Sequence, residues 1–515
     1  MPSSTVRIAK NTLMLYFRQI LIMLVSLYTV RVVLNTLGAE DYGIYNVVAG
    51  VVTMFGFISG AMATASQRYF SFELGRGDYD SLKKIFGLSL FIYVLIGIII
   101  LLLAETIGLW FVNDKLVIPV ERKNTALWVY QFSVLSFLFT IMTSPYMAII
   151  IAHEDMNIYA YVSIADVVIK LGMVFLLSLI RWDKLALYGF LILIVSIIHL
   201  SIYWVICTKK YKECKFSFHW NHDLFKEIAS YTGWSMFGAS VGIVKNQIVN
   251  ILLNQYFNPV VVAARSIAAT VNSASTSFSQ NFNTAMRPQI VKSYAAGEKE
   301  TMLSLMFRGS KGTYLLMYLF VLPLVLEMPM ILGLWLKNPP EYAVLFTRLV
   351  LFDVLIDSIS YPIMAAIHAT GKIRMYQAVV GGILLLNAPV SWMVLHMGAP
   401  PYSVMILAII ISLIAIISRS LILKRLVNYS LRQFLRMVLA PVFIVSVVSA
   451  VLPVILCNAM MQNIVRLCLV TGLSIISVCI SSYFIALNNE EQKKIKSVIT
   501  MYIYASRDKK IETIL

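Results

Sequence analysis

Charge is scarce in this chain of 515 residues: Asp, Glu, Lys and Arg make up only 13% of it, against 59% hydrophobic residues. A water-soluble domain carries about 25% charged and roughly 45–50% apolar residues, so no soluble core could hide this much apolar surface. Acid is scarcer than base, with 25 Asp and Glu against 42 Lys and Arg. Cysteine is nearly absent. The five residues Cys207, Cys214, Cys457, Cys468 and Cys479 form no CxxC pair, which predicts free thiols, no metal site and no cofactor. Long polar stretches are missing too. The longest internal loops, 67–84, 209–230 and 286–312, are shorter than the roughly 50 residues a folded extramembrane domain needs. A soluble catalytic domain is therefore excluded. The first apolar stretch carries Arg18 and Arg31 and no small-residue cleavage site, so it is expected to stay in the mature protein.

What the chain has in abundance is long apolar runs. A spanning helix needs about 20 mostly apolar residues. Fourteen segments qualify: 11–37, 42–66, 85–111, 125–151, 159–180, 185–208, 231–254, 260–285, 313–336, 342–368, 377–397, 402–423, 437–457 and 464–487. They are too long for barrel strands, which show about 10-residue alternation. The expected fold is an all-α integral membrane protein with about fourteen transmembrane helices. With both termini cytoplasmic, the outer loops hold only six basic residues, Lys115, Arg122, Lys123, Arg181, Lys184 and Lys337. The inner segments hold more than four times as many, as the positive-inside rule requires. The net charge of +17 thus reflects topology and anionic headgroups rather than a nucleic-acid partner.

A weak repeat recurs at a shift of 220 residues. Gly77-Asp-Tyr-Asp-Ser-Leu follows span 2, and Gly297-Glu-Lys-Glu-Thr-Met follows span 8. Six spans on, the orientation is unchanged, so the repeat is parallel. The expected layout is an N-lobe of spans 1–6 (residues 1–208), an inter-lobe loop (209–230) and a C-lobe of spans 7–12 (231–424). Spans 13 and 14 (425–487) and a basic cytoplasmic tail (488–515) follow, with 490–496 read as a surface helix at the headgroups.

Two spans could not face lipid all round. Span 7 carries Asn246, Asn250 and Asn254 at four-residue spacing, beside Lys245. Span 8 carries Arg265, Thr270, Asn272, Ser273, Ser275, Thr276, Ser277, Ser279, Gln280, Asn281 and Asn283. Unsatisfied, each of these groups costs several kcal/mol in hydrocarbon. Hydrogen bonding between helices accounts for some serines; a wet cavity accounts for a whole helix of them. Span 2 holds the equivalent place in the first lobe, and span 1 adds Arg18 and Arg31. The prediction is a cavity between the lobes lined by spans 1, 2, 7 and 8. Its anion- and sugar-binding candidates are Arg18, Arg31, Lys245, Arg265, Asn246, Asn250, Asn272 and Gln280. Arginine suits phosphate because its planar fork donates two parallel hydrogen bonds.

Ionisable residues inside spans default to functional hypotheses. Asp166 and Lys170, four apart, read as an internal ion pair, with coupling as the minority reading. Asp353 and Asp357, also four apart, cannot both stay charged cheaply in low dielectric. Either a proton or sodium ion couples transport there, or basic residues of neighbouring helices pair with them. Arg466 is read as snorkelling to the interface and Glu327 as reaching water. His199, His368 and His396 show no metal spacing. Prolines 145, 323, 329, 362, 389, 441 and 453 predict kinks.

Leu37-Gly-Ala-Glu-Asp-Tyr-Gly-Ile-Tyr-Asn-Val-Val, Gln67-Arg-Tyr-Phe and Gly75-Arg-Gly-Asp together resemble a known family. It is the polysaccharide exporter and O-antigen flippase branch of the multidrug/oligosaccharidyl-lipid/polysaccharide exporter superfamily. The resemblance implies two six-helix lobes around a V-shaped cavity, alternating access and a bacterial inner-membrane location. It implies a substrate of sugars on undecaprenyl diphosphate, destined for O-antigen, capsule or exopolysaccharide, with glycosyltransferases and a glycan polymerase as partners. Two alternatives stand beside it: a cation-coupled multidrug exporter of the same fold, and a membrane-embedded glycan polymerase or glycosyltransferase.

Overall fold

Apolar runs broken by glycine, proline and polar clusters fold here into helices throughout. The computed structural model describes residues 4–492 apart from 54, 115, 117, 216–219, 258, 337–338 and 489–490, and no strand occurs among the described residues. The N-terminal half contains α1 (Ser4–Thr53), α2 (Gly56–Arg76), α3 (Tyr79–Leu103), α4 (Leu109–Asp114), α5 (Lys123–Ala152), α6 (Met156–Leu179) and α7 (Lys184–Lys210). The C-terminal half begins with α8 (His222–Tyr256), α9 (Pro259–Ala295), α10 (Lys299–Leu336) and α11 (Ala343–Ala369). It continues through α12 (Arg374–Leu385), α13 (Asn387–His396), α14 (Ser403–Val427), α15 (Leu431–Phe434), α16 (Ala440–Ala459) and α17 (Ile464–Ser481). Of the proposed surface helix at 490–496, only Glu491 and Gln492 lie inside the described residues.

Ten helical stretches among the described residues are long and apolar enough to cross a membrane. Side chains such as Leu13, Phe443 and Phe484 are at least 70% exposed, a surface that only lipid tolerates. The long helices outside those ten are α1, α2, α8 and α9. They hold predicted spans 1, 2, 7 and 8, the set expected to line the cavity, and α1 includes the shorter apolar stretch Asn11–Val25.

The core is shared at one end and divided at the other. One buried cluster joins the halves where the basic loops gather, with Tyr69, Phe70 and Phe86 packed alongside Tyr231, Met286, Ile290 and Ile363. Toward the opposite end two separate clusters replace it. One is built from Val33 to Val195 and the other from Val249 to Val478. Two bundles fused at one end and parted at the other leave a cleft between them. Contacts between the halves run from α2 to α8 and α9, and from α1 to α9. The pair α16–α17 docks on the outside of α10.

The repeat read in the sequence has a backbone counterpart. Gly77 and Gly297 both take left-handed φ, at 73° and 79°. Asp78 N donates to Glu73 O at 3.1 Å, and Glu298 N donates to Ser293 O at 2.9 Å. Gly77 N donates to Leu74 O, and Gly297 N to Tyr294 O. These are the six-to-one and accompanying bonds that close a helix on a glycine. Each partner lies 220 residues from its equivalent.

Candidate functional site

Helix α9 carries two polar faces. Ser266, Thr270, Ser273, Ser277, Gln280, Thr284 and Arg287 recur at alternating spacings of four and three, which keeps them on one side of a helix. At 1.5 Å per residue this stripe runs about 31 Å, roughly the thickness of a bilayer core. Ser266, Thr270, Ser277 and Thr284 each donate to a carbonyl one turn back, so their oxygens are left to accept. At its lower end the stripe enters a cavity of about 520 Å³ between the halves. Gly60, Thr64 and Gln67 of α2, Met147 and Ile151 of α5, and Tyr159 of α6 form one wall. Gln280, Asn283, Thr284 and Arg287 of α9 and Tyr361, Met364 and His368 of α11 form the other.

Unpartnered polar atoms converge here. Gln67 Nε2, Asn283 Oδ1 and Arg287 Nε are buried with no protein partner. Arg287 is 8% exposed, and its Nη2 donates to Thr64 O at 3.1 Å across the cleft. His368 Nδ1 is hydrogen-bonded to Tyr231 OH at 2.6 Å. No Asp or Glu lines the cavity, so its fixed charge is positive.

Below the cavity the halves are bolted together. Arg68 Nη2 donates to Ala369 O at the end of α11, and Tyr69 OH donates to Glu227 of α8. On the α9 side, Gln289 and Lys292 both donate to Glu154, at 3.0 and 2.8 Å. The turn carrying Glu154 is itself anchored. His153 meets Glu213 at 2.5 Å, and Asp155 accepts from Tyr211 and pairs with Lys210. Burial would push the Glu213 and Asp155 carboxyls up, but their hydrogen bonds, from His153 to Glu213 and from Tyr211 and Lys210 to Asp155, hold both below the usual carboxylate range. A depressed folded pKa contributes stability above the unfolded value and loses it as pH falls through the folded one. The anchoring is thus intact at neutral pH and released only in acid.

At Gly75 the backbones of α2 and α9 come close together. A Cβ there would stand 2.6 Å from Lys292 O, a backbone atom that cannot swing aside. Gly75→Val should therefore hold the α2 and α9 ends apart. The check is alkylation of a single cysteine introduced at Gln67, by a reagent added at the basic face. Labelling is expected to rise several-fold in the valine variant, and equal labelling would show that the closure tolerates the added bulk.

The structure redistributes the residues the sequence singled out. Gln280 lines the cavity. Arg18 lies at its edge but is committed to its neighbours, donating to Ser163 Oγ at 3.2 Å and Asn281 Oδ1 at 3.3 Å, 4.4 Å over the Tyr159 ring. Arg265 and Asn272 face away from the lumen. They line a separate cavity of about 30 Å³ inside the C-terminal half with Asp353. The reason is helical phase. Residues 265 and 272 are a heptad apart and share the second polar face of α9, about 100° from the Ser266–Arg287 stripe. Asn250 is partly buried on α8 and lines neither cavity. The side chains of Arg31, Lys245 and Asn246 lie outside the described residues.

Asp166 and Lys170 form an ion pair at 2.8 Å. Asp357 lies 3.7 Å from Arg419 of α14, a residue inside predicted span 12 that the sequence analysis did not single out. Asp353 and Asp357 thus face arginines from two different helices. Arg466 does not snorkel: it is buried against Glu327, which is 0% exposed and does not reach water. Among the described residues no group of three or more His, Cys, Asp or Glu could hold a metal ion.

Arg287 and Gln67 were missed as site residues because spans 2 and 8 were ended too early, and His368, at the end of span 10, was set aside for want of a metal spacing. Helix α2 continues to Arg76 and α9 to Ala295, so Gln67 and Arg287 are helical positions rather than loop ones. The heptad stripe was the signal that could have found Arg287.

A family model described as polysaccharide biosynthesis protein matches residues 8–293. No curated protein matches the sequence. Among solved structures, an outward-facing multidrug resistance MATE family transporter of the MOP superfamily matches with a TM-score of 0.69 at 13% identity, over 83% of this chain and 98% of that one. A MATE in the bent conformation matches with a TM-score of 0.70 at 13% identity, over 82% and 96%. The Vibrio cholerae MATE transporter VcmN in its bent form matches with 0.58 at 15% identity, over 83% and 98%. At these identities the likeness is one of fold.

Proposed function

The chain belongs to the polysaccharide biosynthesis protein family, and on that premise we propose that it is a flippase for undecaprenyl-diphosphate-linked oligosaccharide, working by alternating access across the bacterial inner membrane. In this reading fourteen spans cross the bilayer with both termini in the cytoplasm. Spans 1–6 and 7–12 form the two lobes. Five of the seven exposed tryptophans, Trp110, Trp128, Trp182, Trp335 and Trp392, sit at helix ends opposite the basic loops, as an outer aromatic belt would, while Trp204 and Trp220 lie on the basic side. The state described is then closed to the cytoplasm by the Glu154–Lys292 and Arg68–Ala369 contacts.

One observation carries the proposal. A cavity without acid, floored by Arg287 and Gln67, sits at the foot of a hydroxyl- and amide-lined track. The diphosphate would meet the guanidinium, the sugar hydroxyls would meet the track, and the polyprenyl tail would stay in lipid. No bond is made or broken. The substrate must favour neither end state strongly, or it would trap the carrier there.

A proton or sodium gradient would drive the cycle through Asp353. Asp357, Asp166 and Lys170 each have an opposite charge close by. Asp353 faces Arg265 across the small cavity, yet its Oδ1 is buried without a protein hydrogen-bond donor.

A drug-exporter reading draws on the fold neighbours, one of which is a multidrug resistance transporter. An exporter of organic cations would need acid in its lumen, and the lumen here is basic. Reconstitution separates the two. In proteoliposomes carrying lipid-linked oligosaccharide, the protein should expose glycan to an impermeant lectin on the far side. Efflux of an organic-cation dye with no glycan movement would overturn the flippase reading.

A further inference from the structure

Outside the lumen, two cations on α10 hold a carboxylate from the segment that follows α17. Arg308 Nε and Lys311 Nζ each lie 3.3 Å from Glu491, on its two separate oxygens. Lys311 is 6% exposed and also donates to Ala486 O. Glu491 further accepts from Asn488 N at 2.9 Å. Beside this pair opens a cavity of about 560 Å³ at the basic rim of the C-terminal half. Ser304, Ser430, Gln433 and Asn488 supply hydroxyls and amides to its lining, Glu300 supplies one acid, and Met437 supplies an apolar edge. Next to that edge Leu435 is 55% exposed.

We propose that Arg308 and Lys311 form a binding site for the phosphodiester headgroup of an anionic glycerophospholipid, held in this structure by the chain's own Glu491. A phosphodiester carries the same single charge as the carboxylate and offers more acceptor oxygens, so it can replace Glu491 one for one. The room left over is lined by groups that suit a hydroxylated headgroup. The apolar edge at Met437 and Leu435 gives the acyl chains a way out to the bilayer, which a free phosphate compound would not require. Lys493, Lys494 and Lys496 follow Glu491 in sequence. An anionic bilayer therefore attracts the segment that must leave as the headgroup enters. The tail acts as a competitor tuned by membrane charge.

The test uses the full-length protein in detergent, with phosphatidylglycerol and phosphatidylcholine titrated separately and bound lipid counted by native mass spectrometry. Glu491→Gln is expected to tighten phosphatidylglycerol binding about tenfold and leave phosphatidylcholine unchanged, because it weakens the competitor. Adding Arg308→Gln should cancel that gain. Arg308 is the half-exposed member of the pair, so its loss spares the buried lysine and the fold, and thermal unfolding of each variant checks this. Unchanged phosphatidylglycerol affinity in Glu491→Gln, or equal tightening for both lipids, would overturn the proposal. Displacement of the lipid by millimolar inorganic phosphate would assign the site to free phosphate compounds and overturn it as well.

Discussion

Replacing Arg287 by Glu is expected to abolish glycan export, and replacing it by Ala to weaken headgroup capture by about 10- to 100-fold. The range follows from a charge-assisted hydrogen bond contributing about 1.5–3 kcal/mol. The Arg287 guanidinium is nearly sealed from solvent, its Nε has no partner, and the cavity above it contains no acid. A buried cation without a counterion is costly to maintain, which makes sense if an anion arrives during the cycle. Lys at this position should retain part of the activity, since it keeps the charge but loses the fork. Arg287 also bridges to Thr64 O, so the Ala variant loses one contact between the halves as well. Surface glycan measured against protein level and thermal stability separates the two effects. The Gln67→Ala variant helps, because Gln67 lines the same floor without that bridge. Normal glycan in Arg287→Ala at normal protein level would remove the anion site from the mechanism.

Much of this architecture was written in residue periodicity. The apolar runs announced the helices, and the polar residues of spans 7 and 8 and the arginines of span 1 pointed to the helices that meet between the halves. The repeat around Gly77 and Gly297 was legible because a left-handed helix cap demands glycine. The lumen was legible as a property of α9 but not as a set of residues. A helix polar on two sides has two candidate faces, and hydropathy does not say which one a neighbour covers. Arg265 and Arg287 are both arginines of one helix; only the packing of α11 against the Arg265 face shows that Arg265 faces Asp353 and not the cleft. Hydropathy also ends a span where its polar residues begin. The ends of α2 and α9 nearest the basic loops, which carry Gln67 and Arg287, therefore read as loop. Ion pairs between distant segments were the least legible feature, whereas the Asp166–Lys170 pair could be read from its four-residue spacing. The sequence does not show that Arg466, near the start of α17, meets a glutamate 139 residues earlier.

Removing Arg466 should be among the most destabilising single changes in the C-terminal half. Its Nη2 lies 2.9 Å from Glu327 Oε2, and its Nη1 donates to Cys457 O and Met460 O. Glu327 stands at the one break in α10, with φ −98° and ψ 15°, between Pro323 and Pro329. Pro329 has no N–H to give to Val325 O, and Arg348 Nε donates to that carbonyl instead at 2.8 Å. The kink is thus built, with its freed acceptor satisfied and its carboxylate neutralised from α17. Arg466→Ala leaves a buried carboxylate uncompensated, which costs about 3–5 kcal/mol. It also cuts one of the ties holding α16 and α17 to α10, beside the Tyr314 and Tyr318 hydrogen bonds to Ser446. The double variant Glu327→Gln with Arg466→Met removes both charges and should recover most of that loss, since well-packed neutral groups often match a buried pair. Thermal unfolding in detergent reads both. A single variant that melts like the wild type, or a double variant no better than the single, would mean that the pair is not what fastens these two helices.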